Sequence, residues 1–184
     1  YQGSLNTARL PFTLLDALSQ LPDSVRLEVV GYETIGSRGY LAKLKDRASH
    51  LDVFDRVDIR GAISRPKLID HARKCHVGLS FMPMHTDSIN MKYMAGASNK
   101  PFEYMAAGLP LLVSDLPDWR EMYVEPGYGL ACDPRDADSV AESLRFYAEQ
   151  PDERRRMGEQ GRQRILREWN YEEQFAPVQH TIEG

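Results

Sequence analysis

Short apolar runs alternate with amphipathic segments along almost the whole chain. The apolar runs are typical of strands and cover 1–5, 25–30, 57–60, 76–81, 111–114 and 128–132. The segments between them carry apolar residues at helical spacing and cover 10–21, 36–51, 66–75, 101–107, 116–124, 137–148 and 151–169, with a final turn or two in 171–182. Such alternation predicts a parallel sheet with helices on both faces. We therefore expect an α/β fold: a Rossmann-like three-layer domain with a mostly parallel six-stranded sheet.

The bulk composition is typical of a soluble globular protein, with 42% hydrophobic and 27% charged residues in 184. This length fits a single domain spanning 1–184. The net charge of −4 argues against a nucleic-acid partner, which would need a strongly basic surface. No apolar run approaches the ~18 residues of a transmembrane segment. Because the chain opens with Tyr1 directly in a strand, we expect it to be a fragment of something longer.

Cysteine usage favours a reducing compartment. Cys75 and Cys132 stand alone, without the spacing of a disulfide scaffold or of a zinc motif. We expect a cytoplasmic protein, or one peripheral to the inner membrane face in its full-length form. His71 and His76 bracket Cys75 at a helix end, but with no carboxylate partner nearby the sequence predicts no metal site there.

Common cofactor and nucleophile motifs are missing from the sequence. The nearest approach to a dinucleotide fingerprint, between Gly31 and Gly36, has the wrong spacing and so disfavours a nicotinamide-dependent oxidoreductase. Neither a Walker lysine motif nor a GxSxG elbow occurs. The segment 84–98 shows no periodicity, and a loop of that length inside a compact domain is typically functional.

The segment 98–110 shows the clearest local chemistry. Pro101 fits the first position of a short helix, which Gly108 and Pro110 end. A helix of this kind presents free backbone N–H groups and a positive dipole end, which suit a phosphate. Glu103 falls in the predicted first turn, where its carboxylate could accept two hydrogen bonds from a vicinal diol. The alternative is that Glu103 only complements the helix dipole.

Two basic residues extend this candidate site. Arg9 begins the first predicted helix, just after a glycine turn at Gly3, and Lys100 lies at the mouth of the central helix. Either could pair with phosphate oxygens, and either could instead be a solvated surface cation. Together with Glu103 they predict a pyrophosphate beside a sugar hydroxyl pair. That combination describes a nucleotide or nucleotide-sugar site.

Four segments carry a resemblance to a known family. The segment 99–110, the opening Gln2-Gly3-Ser4-Leu5 with Arg9, the strand end at 60–63 and the tail 152–169 occur in order over nearly the whole chain. They resemble the group 1 glycosyltransferases of the GT-B fold, in the carboxyl-terminal half that binds a nucleotide-sugar donor. The resemblance implies transfer of a hexose-type sugar, from a UDP- or GDP-linked donor, without a metal or other cofactor and with retention at the anomeric carbon.

The same resemblance assigns roles by position. Glu103 would hold the ribose hydroxyls, and Arg9 and Lys100 would act in catalysis by stabilising the diphosphate leaving group. The remaining donor-binding positions that it implies are Gly3, Ser4, Gly61, Ile63, Ser64, Ser98 and Asn99. An amino-terminal half outside this chain would bind the acceptor, which is a saccharide, a lipid or another small molecule. The chain alone would then be inactive.

One position departs from the family pattern. Many members carry a first glutamate eight residues before the one that corresponds to Glu103, and here that residue is Ala95. The family's first glutamate reaches the sugar, so its absence leaves sugar specificity and catalytic detail open. The alternatives are a nucleotide-sugar epimerase on the same fold and a non-catalytic interaction module.

Overall fold

The computed structural model describes residues 1–183, in which strands and helices alternate. The strands are β1 (Gln2–Ser4), β2 (Leu27–Tyr32), β3 (Val57–Arg60), β4 (Gly78–Ser80), β5 (Leu111–Ser114) and β6 (Gly129–Cys132). The helices are α1 (Thr13–Ser19), α2 (Tyr40–His50), α3 (Arg65–Ala72), α4 (Ile89–Lys92), α5 (Asn99–Ala106), α6 (Pro117–Trp119), α7 (Ala137–Glu149), α8 (Pro151–Arg167) and α9 (Tyr171–Glu183). Two 3₁₀ turns (Ile35–Ser37 and Phe54–Arg56) and one π-helical segment (Arg120–Val124) join them. None of these helices is both long and apolar enough to cross a membrane.

All strand pairs are parallel, which confirms the α/β class. One sheet has the order β1-β2-β3, with Gly3 opposite Gly31, and the other has the order β4-β5-β6. Successive strands are joined by crossovers that contain helices, as parallel pairing requires.

Within residues 1–183 the strands form two three-stranded sheets, so the predicted single six-stranded sheet is not what the structure shows. Tyr104 of α5 contacts both sheets. Its hydroxyl accepts a hydrogen bond from the backbone N–H of Gln2 on the edge strand β1 (2.8 Å). Its ring lies on Gly78 of β4, where a Cβ atom would be 2.4 Å from Tyr104 Cγ. The physical reason for the division is therefore a side chain that takes the place of a backbone ladder between β1 and β4.

Helices cover both faces of the second sheet. Leu112 of β5 belongs to a buried cluster that includes residues of α1 and α7. Its neighbours Leu111 and Val113 belong to a second cluster, which includes α5 and the aromatic residues Trp119 and Tyr123. Because adjacent strand residues point to opposite faces, the two clusters lie on the two sides of β5. This confirms the three-layer arrangement.

Helix α5 begins at Asn99, two residues before Pro101, so the predicted start was late. Pro101 still lies in the first turn, where its missing N–H has no intrahelical partner to lose. Glu103 consequently falls beyond the first turn, which corrects its predicted place. Interaction with the helix dipole fades beyond that turn, so the dipole explanation of Glu103 is weakened.

The end of α5 is as predicted. Gly108 adopts the left-handed conformation (φ +79°). Its N–H donates to the Met105 carbonyl, and the N–H of Leu109 donates to the Tyr104 carbonyl, both at 2.9 Å. These two bonds form a Schellman motif, which satisfies the last carbonyls of the helix.

Helices α1 and α9 also differ from their predicted extents. Helix α1 begins at Thr13 rather than at residue 10, and Arg9 lies in the preceding turn. The reason is Pro11, which disfavours helical backbone at the residue before it. At the tail, α9 runs for 13 residues instead of a turn or two. The Asn170 side chain supports its start by accepting the N–H of Glu173 (2.9 Å).

The segment 84–98 is not the aperiodic loop that the sequence predicts, because residues 89–92 form α4. Met91 and Met94 of this segment pack beside the buried cluster around Trp119 and Tyr123. Ala95 packs there too. The residue at the departure from the family pattern therefore contributes to packing in this chain.

Helix α8 fixes α5 through two glycines. A Cβ atom at Gly158 would lie 2.1 Å from the carbonyl oxygen of Gly108, and one at Gly161 would lie 3.1 Å from Met105 Cγ. The absence of side chains at these positions lets the two helices approach closely. The position of α5, and of the charged residues on it, depends on this contact.

We expect Gly158→Ala to lower the free energy of unfolding by about 2 kcal/mol or more, because the added methyl group meets backbone rather than a flexible side chain. Urea denaturation followed by circular dichroism measures this. Gly36→Ala is the matched control, since a Cβ atom there has no neighbour within 4 Å. The control should change stability by no more than about 1 kcal/mol. Equal effects of the two substitutions would contradict this account of the α5–α8 contact.

Candidate functional site

The end of β1 and the start of α5 bring two predicted site residues into contact. Gly3 has a positive φ (+119°), and a Cβ atom there would lie 2.9 Å from Lys100 Cε. The Lys100 ammonium lies 5.8 Å from the centroid of the Tyr1 ring. Gly3 is therefore needed both for the turn and for the close approach of Lys100.

Arg9 is held at the same end of β1 by a side-chain turn. The side-chain oxygen Oδ1 of Asn6 accepts the N–H groups of Ala8 and Arg9, both at 3.1 Å. The Arg9 side chain is buried, with only 8% of the residue exposed, and Nη2 donates to the Met91 sulfur at 3.3 Å. Arg9 is thus not the solvated surface cation of the alternative interpretation.

Arg9 and Lys100 are two cations without an acidic partner. Within residues 1–183, neither forms an ion pair with a carboxylate. The pKa of Lys100 is lowered to about 8, mainly by burial and also by the positive charge of Arg9, while Glu103 partly opposes both effects. Burial also lowers the pKa of Arg9. This pair is therefore electrostatically uncompensated, and an anion beside it would be stabilised.

The amino terminus of α5 adds to this positive region. Ser98 is buried at the N-cap position, but its side chain makes no capping hydrogen bond. Asn99, the first helical residue, is exposed. The first N–H groups of a helix have no intrahelical acceptor, so they favour an anionic acceptor at this end.

Glu103 lies at the edge of this region and not in the packed core. Its side chain is 18% exposed. Oε2 accepts a hydrogen bond from Gln2 Nε2 at 2.5 Å, and Oε1 lies 3.4 Å from Arg65 Nη2. Gln2 is buried, so its amide fixes one carboxylate oxygen, while the other faces a mostly exposed guanidinium.

The β3–α3 loop supplies a third side of the site. Gly61, Ile63 and Ser64 are exposed, and a Cβ atom at Gly61 would meet nothing within 4 Å. Arg65 directly follows them and connects this loop to Glu103. The loop therefore borders open space on the same side of the molecule as Glu103.

Ser4 closes β1 next to these residues. Its carbonyl oxygen accepts a hydrogen bond from the Tyr1 hydroxyl at 2.6 Å, and its own hydroxyl lies 3.5 Å from Asn6 Nδ2. Both contacts stabilise the turn that carries Gly3.

Sequence reasoning missed three residues that shape this region: Gln2, Asn6 and Arg65. Gln2 carried a signal, because a polar side chain in a mostly apolar strand needs a buried partner. Asn6 also carried one, since asparagine just after a strand often accepts backbone N–H groups in a turn. Arg65 had no local signal, because its contact with Glu103 spans distant parts of the sequence.

A cavity of about 420 Å³ lies elsewhere, near the amino ends of β2 and β4. Leu27, Val77 and Tyr147 contribute to its lining, and none of the predicted site residues does. The candidate site is accordingly an open face at the carboxyl end of β1, the edge where parallel α/β sheets bind ligands.

Comparison with known families gives one match that covers most of the chain. The sequence profile of the family described as glycosyl transferase-like matches residues 12–179. A search of curated protein sequences finds no match.

Solved structures with the same fold include three glycosyltransferase-related proteins. HepE of Anabaena, solved in complex with UDP, is 18% identical, with a TM-score of 0.77 over 99% of this chain and 48% of that one. Sucrose-phosphate synthase of Thermosynechococcus elongatus is 20% identical, with a TM-score of 0.72 over 98% of this chain and 45% of that one. The C-terminal domain of the group 1 glycosyltransferase LpcC of Francisella tularensis is 13% identical, with a TM-score of 0.74 over 93% and 87%. The chain thus spans about half the length of the first two proteins and most of the isolated domain.

We expect the Lys100 amine to titrate near pH 8 and the Arg9→Met variant to raise that value, since Arg9 lowers it. Glu103→Gln should lower it further, because the carboxylate favours the charged amine. Nuclear magnetic resonance of ¹³C-methylated lysines measures both shifts. Between pH 8 and 10.5 the unfolded chain holds this proton more tightly, so the Lys100 contribution to stability rises with pH. Titration of Lys100 near 10.4, the value of a free lysine, would contradict the burial of an uncompensated cation.

Proposed function

The chain belongs to the glycosyl transferase-like family, and from this premise we propose that it is the nucleotide-sugar donor-binding domain of a glycosyltransferase. The donor is a UDP- or GDP-linked sugar of the hexose type. The observation that carries the proposal is the pair of cations beside the open start of α5, of which Arg9 is buried and Lys100 is partly buried.

A diphosphate fits this pair by charge and by position. Departure of a nucleoside diphosphate from a sugar develops negative charge on the phosphate oxygens, and fixed positive groups stabilise that charge most in the transition state. Arg9 offers a planar fork of donors, and Lys100 offers a compact charge. The peptide N–H groups that follow Ser98 and Asn99 add their dipoles.

Glu103 fits a ribose diol. An ionised carboxylate accepts hydrogen bonds at both oxygens, which matches two neighbouring hydroxyl donors. The buried amide of Gln2 holds the carboxylate in place. Exposed Arg65 is a weak partner, because a solvated ion pair contributes little, so a ligand hydroxyl can replace it at low cost.

Two further contacts complete the proposed donor site, one with the nucleotide base and one between the backbone of β1 and the donor. The exposed loop at Gly61, Ile63 and Ser64 would line the base. Gly3 and Ser4 would let the backbone pass close to the donor. One solved relative in fold binds such ligands, since HepE was solved with UDP and with UDP-glucose.

The finer chemistry is part of the same proposal. Arg9 and Lys100 would supply the charge stabilisation at the leaving group, so transfer would be metal-independent and need no cofactor. Retention at the anomeric carbon rests on the family resemblance. The acceptor, a saccharide, lipid or other small molecule, would bind in an amino-terminal half, since this chain corresponds to about half of HepE. We place the full-length protein in the cytoplasm, free or at the inner membrane face.

Glu103→Ala should weaken UDP binding by about 1.5–3 kcal/mol, the scale of hydrogen bonds to a charged group, or about 10- to 150-fold. Isothermal titration calorimetry measures this. Glu121→Ala, which removes an exposed carboxylate from the π-helical segment, is the matched control and should leave the affinity unchanged.

A nucleotide without the diol tests the same contact independently. 2′,3′-Dideoxy-UDP should bind the wild-type chain more weakly than UDP, and Glu103→Ala should bind the two nucleotides equally. If the variant still discriminated between them, the ribose role of Glu103 would be wrong.

The chain by itself should bind UDP or GDP and transfer no sugar, because the acceptor half is not part of it. Two outcomes favour other functions. Absence of nucleotide binding in both this chain and the full-length protein would favour a non-catalytic module, for which Ala95 is the supporting observation. A changed sugar without any acceptor would favour an epimerase.

A further inference from the structure

A second cluster of reactive side chains lies apart from Arg9 and Lys100, between β2 and α3. It consists of Glu28 on β2, His71 on α3 and Cys75, which follows α3. Each offers one metal-ligating atom, and these three atoms all lie within 4.8 Å of one another. Among the side chains that the structure describes, this is the one group of three or more with that spacing. The expectation that no carboxylate lies near His71 and Cys75 is therefore wrong.

The backbone places His71 and Cys75 on the same side. They are four residues apart, and the N–H of Cys75 donates to the Ala72 carbonyl (2.9 Å), which continues the chain in a turn beyond α3. The Cys75 sulfur lies 3.6 Å from the His71 carbonyl oxygen. Two side chains at this spacing share one helical face, as paired metal ligands require.

Glu28 reaches this face from the sheet. One of its carboxylate oxygens, Oε2, contacts His71 Nε2 and lies 3.9 Å from the Cys75 sulfur. The contact with His71 Nε2 lacks hydrogen-bond geometry, and that nitrogen is shielded from solvent. The Glu28 carboxylate and the shielded His71 nitrogen are thus held against each other at the point that the Cys75 sulfur approaches.

A small cavity adjoins all three side chains. Its volume is about 20 Å³, and its lining includes Glu28, His71 and Cys75 together with the apolar residues Leu68 and Val77. A space of this size holds about one water molecule or one ion.

We propose that Glu28, His71 and Cys75 form a site for a divalent transition-metal ion of the zinc class. Carboxylate, imidazole and thiolate are the three side-chain ligand types of protein zinc sites. With three protein ligands, the fourth position of a tetrahedron faces the cavity and takes water.

Metal binding would exchange one bond for another at Cys75. The Cys75 S–H bond breaks, a sulfur–metal bond forms, and the proton goes to solvent, while His71 binds as a neutral ring through Nε2. One thiolate and one carboxylate neutralise the two charges of the metal ion.

Binding would join α3 to β2. The ligands come from two elements that are distant in sequence, so the ion stabilises the folded state, in which alone the ligands converge. None of the three ligands belongs to the proposed donor site, so this metal takes no part in sugar transfer. Failure of the metal site in experiment would therefore leave the proposed donor site unaffected, and the reverse also holds.

Cobalt(II) is the direct probe, because a thiolate ligand produces a near-ultraviolet charge-transfer band and a tetrahedral site produces strong visible bands. We expect the chain to bind a single equivalent of Co²⁺ with both features, and Zn²⁺ to displace it. Calorimetry with Zn²⁺ in two buffers of different ionisation enthalpy should show release of the Cys75 proton.

Matched variants assign the ligands. Cys75→Ser should abolish the charge-transfer band, and His71→Gln and Glu28→Gln should each weaken Zn²⁺ binding by about 100-fold or more, beyond the 10- to 100-fold loss typical of an outer-shell partner. Cys132→Ala and His50→Gln are the controls, since neither residue belongs to the cluster. All variants should retain UDP affinity.

Alkylation covers the case in which a variant does not fold. In the wild-type chain Zn²⁺ should slow the reaction of Cys75 with iodoacetamide by at least tenfold, measured by peptide mass spectrometry. Absence of stoichiometric binding, a charge-transfer band that persists in Cys75→Ser, or unchanged alkylation of Cys75 would each overturn the metal site. In any of these cases the cluster is a hydrogen-bonded link between α3 and β2.

Discussion

The placement of two cations, Arg9 and Lys100, at the end of β1 is the constraint on which the candidate site depends. Both cations are largely withdrawn from water at the end of β1, and neither has a carboxylate partner in the described chain. A protein interior does not hold such a pair cheaply, as the lowered pKa of Lys100 demonstrates. A bound anion would remove the cost, which is why a diphosphate is the natural complement of this surface.

The scaffold keeps the two charges in place despite their repulsion. Helix α5, which carries Lys100, is fixed at its far end by the Schellman motif at Gly108 and by the glycine contact with α8. Tyr104 of the same helix joins the two sheets through Gln2 and Gly78. The rigidity of α5 thus comes from packing, and the charged residues at its start are pre-organised rather than free to separate.

The proposed metal site would attract a ligand of the opposite charge to the one that suits Arg9 and Lys100. There an acidic group, a thiol and a buried ring nitrogen converge on a small cavity, and a cation would complete them. The edge strand β1 adjoins both regions, since Gln2 contacts Glu103 and also lines the small cavity. Both features use the loops and helix ends that surround a short parallel sheet.

The sequence by itself determined the local features. The apolar alternation predicted β3 and β5 at their observed bounds, and helical spacing predicted the start of α7 at residue 137. Turn chemistry predicted the end of α5 at Gly108. These features depend on residues close together in the chain, so the sequence alone is enough to predict them.

Only the tertiary structure decided the rest, because it depends on residues distant in sequence. The division into two sheets follows from Tyr104, and the burial of Arg9 follows from contacts with Met91. The partners of Glu103 and the meeting of Glu28 with His71 likewise join separate elements. Periodicity identifies which face of an element is buried, but it carries no information on which side chain another element brings to that face.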